Sequence, residues 1–234
     1  MKLSLIIPAH NEESRIGQTL KEYLKFFDKD TEIIVVLNAC QDRTLAVVED
    51  IARHSPNLIY TDIKEAIGKG GAVREGFRQA SGDLIGFVDA DGATSPEEFD
   101  KLIQAVADGA DGAIASRYIA GARAKRTFLR NIIGLTFHFI QKALFWLPYR
   151  DTQCGAKVFR KELIKRIRPE LKVKNMVFDI EILARAKKYG YKIKEVPTVW
   201  EEKESSALLG SPLKLFRNSF NMFITLIKLR FRFK

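Results

Sequence analysis

Gly82-Asp83-Leu84-Ile85-Gly86-Phe87-Val88-Asp89-Ala90-Asp91-Gly92 is the stretch that decides the fold. Its apolar part is a continuous run and does not alternate, as expected of a strand buried on both faces of a parallel sheet. The run closes on two acids one residue apart. Working outward, Leu3–Pro8, Glu32–Leu37, Leu58–Thr61 and Gly112–Ser116 read as further strands of the same kind. Between them, residues 12–27 carry Ile16, Leu20, Tyr23, Leu24 and Phe27 at helical spacing, and 44–54 and 70–80 also read as helices. Ser95-Pro96-Glu97-Glu98 is a helix start: a hydroxyl cap, proline at the first helical position, and acids in the first turn. Strand and helix alternating at this spacing predict an α/β fold, a mostly parallel sheet flanked by helices.

Such sheets bind ligands beyond the carboxyl ends of their strands. Three polar loops fall there: Pro8-Ala9-His10-Asn11-Glu12, Asn38-Ala39-Cys40-Gln41-Asp42 and Asp89-Ala90-Asp91. Together they have the character a nucleotide site requires. The last pair suits a hard divalent cation, Mg2+ or Mn2+, which prefers carboxylate oxygen and keeps positions open for phosphate. Pro8 fixes its turn, and Glu12 is an acceptor for a base or ribose. Gly68-Lys69-Gly70-Gly71 opens a helix where glycines allow close backbone approach to a phosphate and Lys69 supplies a point charge.

The charge of the chain is divided. Residues 1–120 hold 13 basic and 20 acidic side chains, whereas residues 121–234 hold 26 and 9. A basic surface attracts phosphate on nucleic acid, on lipid or on an anionic bilayer. Phe128–Trp146 is long and mostly apolar, with Arg130, Gly134, His138 and Lys142 on one narrow stripe, and Ser205–Lys234 has six basic residues, no acid and many apolar ones. Both segments fit amphipathic helices at a membrane interface. The plainer alternatives are a core helix for the first and a dimer-forming helix, hence a homo-oligomer, for the second. Arg123-Ala-Lys-Arg126 offers a nucleic-acid reading, but apolar stretches interleave the basic residues, so no nucleic-acid partner is expected. The expected organisation is a domain over 1–205, with an interface helix at about 128–147, and a basic tail over 206–234. Two cysteines without CxxC spacing point to free thiols in a reducing compartment. With no secretory leader or spanning segment read, the chain is expected to be peripheral, on the cytoplasmic face of a membrane.

The ordered set IIPAHNE, EIIVVLNACQDRT, GKGGAVREGF, GDLIGFVDADG, ASRY, DTQCGAKVFRKEL and FDIEIL…GYKIKEVPTVW resembles family 2 glycosyltransferases of the GT-A fold. Within them it is similar to the dolichyl-phosphate mannose and dolichyl-phosphate glucose synthases, with DTQCG and FDIEIL closer to the glucose type. The resemblance spans residues 3–205. It implies transfer of a hexose from a nucleotide-sugar donor, of the UDP-glucose or GDP-mannose type, to a polyprenyl (dolichyl) phosphate acceptor with inversion. It also implies roles by position. Pro8, Ala9, Asn11 and Glu12 line the nucleotide, Asn38 and Asp42 sit near base and ribose, and Lys69 and Gly70 close that side. Asp89, Ala90 and Asp91 hold metal and diphosphate, with Lys203 reaching the donor phosphates. Arg117 and Arg130 grip the acceptor phosphate, with Asp151, Gln153 and the 178–181 segment beside them.

Two positions depart from the family pattern. The second strand ends in Leu37-Asn38 where one or two acids are usual, and Ala93 stands where mannose synthases often have glutamine, removing one ligand from the metal. A phosphate monoester is largely ionised near neutral pH, its second pKa being about 6, so the acceptor needs no strong base. Asp91 or Asp179 then orients the acceptor. Transfer to a glycan or lipid hydroxyl would need a true base, for which Asp179 and Glu181 are the candidates.

Overall fold

The computed structural model describes residues 1–124, 141–142, 144–200 and 212–233. The apolar runs become the strands β1 (Leu3–Ala9), β2 (Glu32–Asn38), β3 (Leu58–Ile63), β4 (Leu84–Phe87) and β5 (Gly112–Ser116). The helices that alternate with them are α1 (Ile16–Phe26), α2 (Thr44–Ala52), α3 (Gly68–Gln79) and α4 (Pro96–Ala107). Ser95 caps α4 as its sequence predicts, its hydroxyl accepting the Glu98 N–H.

Beyond β5 the chain forms β6 (Arg123–Ala124), β7 (Lys157–Arg160), α5 (Lys161–Ile167), a 3-10 turn at Arg168–Glu170, α6 (Phe178–Lys188), β8 (Ile193–Pro197), β9 (Val199–Trp200) and α7 (Pro212–Arg232). The main sheet has the order β3-β2-β1-β4-β7-β5-β8, and β6 pairs with β9 apart from it. All neighbours in the main sheet are parallel except β7, which runs antiparallel to both β4 and β5. That reversal matters for function. Phe87, the last residue of β4, pairs with Lys157, the first of β7. The loop 151–156 that leads into β7 therefore emerges at the same rim as Asp89, which follows β4.

β1, β2, β4 and β5 are buried on both faces, as their unbroken apolar runs require, whereas β3, expected to be of the same kind, is an edge strand and leaves Ile59 and Tyr60 40% and 39% exposed. Leu5, Ile7, Ile33 and Val35 face α1, α2 and α4 through Leu20, Tyr23, Val48 and Phe99. Ile6, Ile34 and Val36 belong to the opposite core, with Val73 and Phe77 of α3, Leu163 of α5, Ile180 and Leu183 of α6, and Leu226 and Leu229 of α7. Each such side chain contributes about 1.5–3 kcal/mol on full burial.

α7 is apolar on two sides. Leu226 and Leu229 enter the core, while Phe220, Phe223 and Phe231 are 54%, 41% and 66% exposed. At 3.6 residues per turn these three lie within about 80° of one another, turned away from Leu229 and adjoining Leu226, with Lys228 and Arg230 flanking the stripe. No helix among the described residues is long and apolar enough to cross a membrane.

Candidate active site

The acidic pair sits at the carboxyl end of β4 and is braced from α1. Thr19 Oγ1 donates to the Ala90 carbonyl at 2.9 Å, and the Tyr23 hydroxyl donates to the Thr94 carbonyl at 3.0 Å. Within the loop, Asp91 Oδ1 accepts the Ala93 N–H at 3.0 Å, and Gly92 turns the chain at φ 67°. Asp89 is fixed from two other directions. The ammonium of Lys69 is 2.5 Å from Asp89 Oδ1. The backbone of Gly155 lies against the other oxygen: a Cβ placed there would fall 2.1 Å from Asp89 Oδ2. Only glycine permits this approach.

The two carboxyls are electrostatically unlike. Burial opposes ionisation of Asp89, but the cations Lys69, Lys157 and Arg117 outweigh it and hold the carboxyl below its ordinary value. Asp91 is pushed up, first by burial and then by the negative charge of Asp89. Burial also raises Glu12, against the opposing pull of Arg15, which it meets at 2.5 Å. Two acids that repel one another at a strand tip form a donor set suited to a hard cation. Among the described residues no cluster of three or more His, Cys, Asp or Glu accompanies them. Ala93 is apolar and buried and offers no side-chain ligand to a cation.

A second pair stands on the β5 side. Arg117 directly follows β5, and its Nε and Nη2 meet the two oxygens of Asp151 at 2.7 and 2.9 Å, while its backbone N–H donates to the same carboxylate at 3.0 Å. This bidentate fork fixes the guanidinium plane. Trp200 lies under it, 5.5 Å from ring centroid to Cζ. Glu195 in turn accepts the N–H groups of Arg150 and Asp151, both at 2.9 Å. Asp151 is thus a holder of Arg117, and Gln153 donates its N–H back to Asp151 at 3.3 Å.

Two residues without a place in the sequence reading complete the floor. Lys157, fully buried at the start of β7, places its ammonium 2.6 Å from Asp179 Oδ1 and 2.5 Å from the Cys154 carbonyl. Its bond to Cys154 steadies the turn that presses Gly155 on Asp89. The available signal was a lone cation inside the otherwise apolar run Ala156-Lys157-Val158-Phe159. Gly155, in the same DTQCG segment, is the other.

Several expected ligand contacts prove to be occupied by the protein itself. The Gly70 N–H donates to the Lys174 carbonyl at 2.8 Å, and Gly70 packs on Val173 and Phe178 with no room for a Cβ. The glycines at the start of α3 therefore serve a close helix–loop contact, and the Gly70 amide is not turned to a phosphate. Asn38 Oδ1 accepts the Ile67 N–H at 2.8 Å, tying β2 to the start of α3. Asp42 accepts the N–H groups of Glu13 and Thr44 and the Thr44 hydroxyl, which explains its lowered pKa despite some burial. Asn11, at φ 54°, accepts the Gln41 N–H at 2.8 Å. These bonds knit the loops after β1 and β2 into one wall, in which Pro8 and Ala9 end β1 and Glu12 comes within electrostatic reach of Asp89 and Asp91. Asp179 and Glu181 are buried and engaged, Asp179 by Lys157 and Glu181 by the N–H groups of Lys172 and Val173. Arg130, Lys203 and most of the 128–147 segment lie outside the described residues.

Comparison with known proteins identifies the family and the fold. The family model described as glycosyl transferase family 2 matches residues 4–168. A dolichyl-phosphate beta-glucosyltransferase of Dictyostelium discoideum is 34% identical over 99% of this chain and 74% of that protein. The Homo sapiens protein of the same name is 30% identical over 89% of this chain and 70% of its own length. Among solved structures, glucosyl-3-phosphoglycerate synthase from Mycobacterium tuberculosis, in complex with Mn2+, UDP and glucosyl-3-phosphoglycerate, shares the fold at a TM-score of 0.75 and 19% identity, covering 97% of this chain and 79% of that one. With a GT-A sheet that carries its acidic pair at the carboxyl end of β4, the chain belongs to glycosyl transferase family 2 and is a glycosyltransferase.

Proposed function

We propose that this enzyme moves glucose from UDP-glucose to a dolichyl-type polyprenyl phosphate at a membrane surface, using a divalent cation, Mg2+ or Mn2+. The observation that carries the reading is the placement of Asp89 and Asp91 on the same rim as the Arg117–Asp151 pair. One half of that rim offers carboxylates for a cation and its diphosphate. The other offers a fixed guanidinium for a second phosphate. The name shared by the curated relatives supports both the sugar and the acceptor.

Asp89 and Asp91 are the residues that would hold the cation, with diphosphate oxygens and water completing its shell. When bound, it neutralises the charge that gathers on the leaving diphosphate. Lys69 adds a positive charge on the same side. Pro8, Ala9, Asn11, Glu12, Asn38 and Asp42 form the wall for the nucleoside, and Lys203 belongs to this side by its position in the sequence. Arg117, locked by Asp151 and stacked near Trp200, presents the acceptor phosphate to the anomeric carbon, with Arg130 as its sequence-assigned partner. An ionised phosphate is its own nucleophile, so the residues position and stabilise and need not abstract a proton.

A hydroxyl acceptor fits less well. Its candidate bases, Asp179 and Glu181, are respectively paired with a buried ammonium and bonded to two backbone N–H groups. The outward stripe Phe220, Phe223 and Phe231, bordered by Lys228 and Arg230, supports a bilayer surface as the place where acceptor is met. The free thiols Cys40 and Cys154 fit a cytoplasmic, reducing setting. The test is a donor screen: UDP-glucose, GDP-mannose and UDP-N-acetylglucosamine, each with polyprenyl phosphate or the matching polyprenol. Transfer from UDP-glucose to the phosphate alone is expected; transfer to the polyprenol would overturn the acceptor assignment.

A further inference from the structure

The backbone on either side of Lys69 is tethered to one point. Gly68, at φ 71°, lies against the Lys174 carbonyl, and the Gly70 N–H is bonded to that same carbonyl. The Lys69 ammonium nevertheless reaches Asp89 Oδ1 at 2.5 Å, in a side chain only 14% exposed. On its other side the Asp89 carboxylate lies against the Gly155 backbone. A metal ion that uses the Asp89 carboxylate must therefore share it with, or take it from, an ammonium already in contact.

We infer that Lys69 is a resident counter-ion of Asp89 that weakens metal binding until a nucleotide diphosphate arrives to pair with the ammonium. The inference rests on the donor-site reading of Asp89 and Asp91. Lysine suits the part, being a point charge on a flexible four-carbon stem. A diphosphate brings more negative charge than one carboxylate, so it draws the ammonium off and leaves Asp89 to the cation. Metal and nucleotide then favour one another's binding by the same factor, as linkage requires. A fixed cation beside Asp89 would also set a penalty on metal bound without donor.

The experiment is Mn2+ binding followed by loss of the free-ion electron paramagnetic resonance signal, with and without UDP. It compares the full-length protein with Lys69→Met and Lys69→Arg, each checked for folding by thermal melt, and Lys69→Gln replaces a methionine variant that does not fold. Without UDP, Lys69→Met should bind Mn2+ about tenfold more tightly than wild type, and the tightening produced by UDP should shrink by about the same factor. Lys69→Arg, which keeps the charge, should stay near wild type. A folded Lys69→Met that binds Mn2+ no more tightly than wild type overturns the counter-ion role while leaving the metal site standing. A wild type that binds no Mn2+ even with UDP overturns the metal reading itself, and the counter-ion role with it.

Discussion

Lys157 and Asp179 meet at 2.6 Å in the floor of the site, with neither side chain reaching solvent. Their charges are mutually dependent. Removing one partner strands a buried charge, at a cost of about 3–5 kcal/mol, whereas replacing both by apolar groups of similar size is often neutral. Lys157→Met should therefore lower unfolding free energy by about that amount, and Lys157→Met/Asp179→Leu should recover most of it. Urea denaturation of the two single variants and the double variant checks this. A double variant as unstable as the sum of the singles would show that the pair is not the source.

Gly155 makes a sharper claim about geometry. Alanine there puts a methyl group 2.1 Å from Asp89 Oδ2, so the carboxylate must move. A displacement near 1 Å at a catalytic group costs roughly 100-fold in rate. Gly155→Ala should lose at least about that factor in kcat. Its melting temperature should fall far less than that of Lys157→Met. Rates within a fewfold of wild type would mean that Asp89 tolerates the shift.

These two residues also mark the limit of the sequence reading. The five apolar runs, four helices and the cap at Ser95 were legible because continuous apolar runs, helical spacing and a capping residue leave local patterns. The acidic pair was legible because strand order places it. β7 was not, since its antiparallel insertion between β4 and β5 is a long-range choice that residues 157–160 do not encode locally. With β7 unseen, nothing brought Gly155 or Lys157 next to Asp89. The wall residues carry contacts that their type and position do not reveal: Asn38 Oδ1 accepts the Ile67 N–H and the Gly70 N–H is bonded to Lys174, which only tertiary packing shows.

The Arg117–Asp151 fork predicts a pH effect. Burial raises the Asp151 carboxyl, but Arg117 outweighs burial and holds it below its ordinary value. A lowered folded-state pKa contributes stability in full above the unfolded value, about 3.9, and loses it as pH falls through the folded value. Asp151→Asn should thus be less stable than wild type at neutral pH, by about 3–5 kcal/mol. The gap should narrow below about pH 4. Thermal melts from neutral to strongly acidic pH give the comparison; a gap that widens in acid would contradict the pairing.

The outward face of α7 should bind bilayers. Phe220, Phe223 and Phe231 are exposed on one stripe, and burying each contributes about 1.5–3 kcal/mol. Replacing all three by serine should reduce sedimentation with anionic vesicles by roughly 100-fold or more and leave the fold intact. Wild-type binding should weaken with salt, through Lys228, Arg230 and Arg232. If the triple variant instead becomes monomeric from a dimer, with vesicle binding unchanged, the face is a protein interface.

The most direct test of the account is the transfer of glucose from UDP-glucose to dolichyl phosphate by wild type, Asp89→Ala and Asp91→Ala, with a chelator and with Mn2+ restored. The wild type should form the glucosyl lipid phosphate with inversion, stop under chelation and resume with Mn2+, while both variants stay inactive though folded. Full transfer by either variant under chelation would contradict the account.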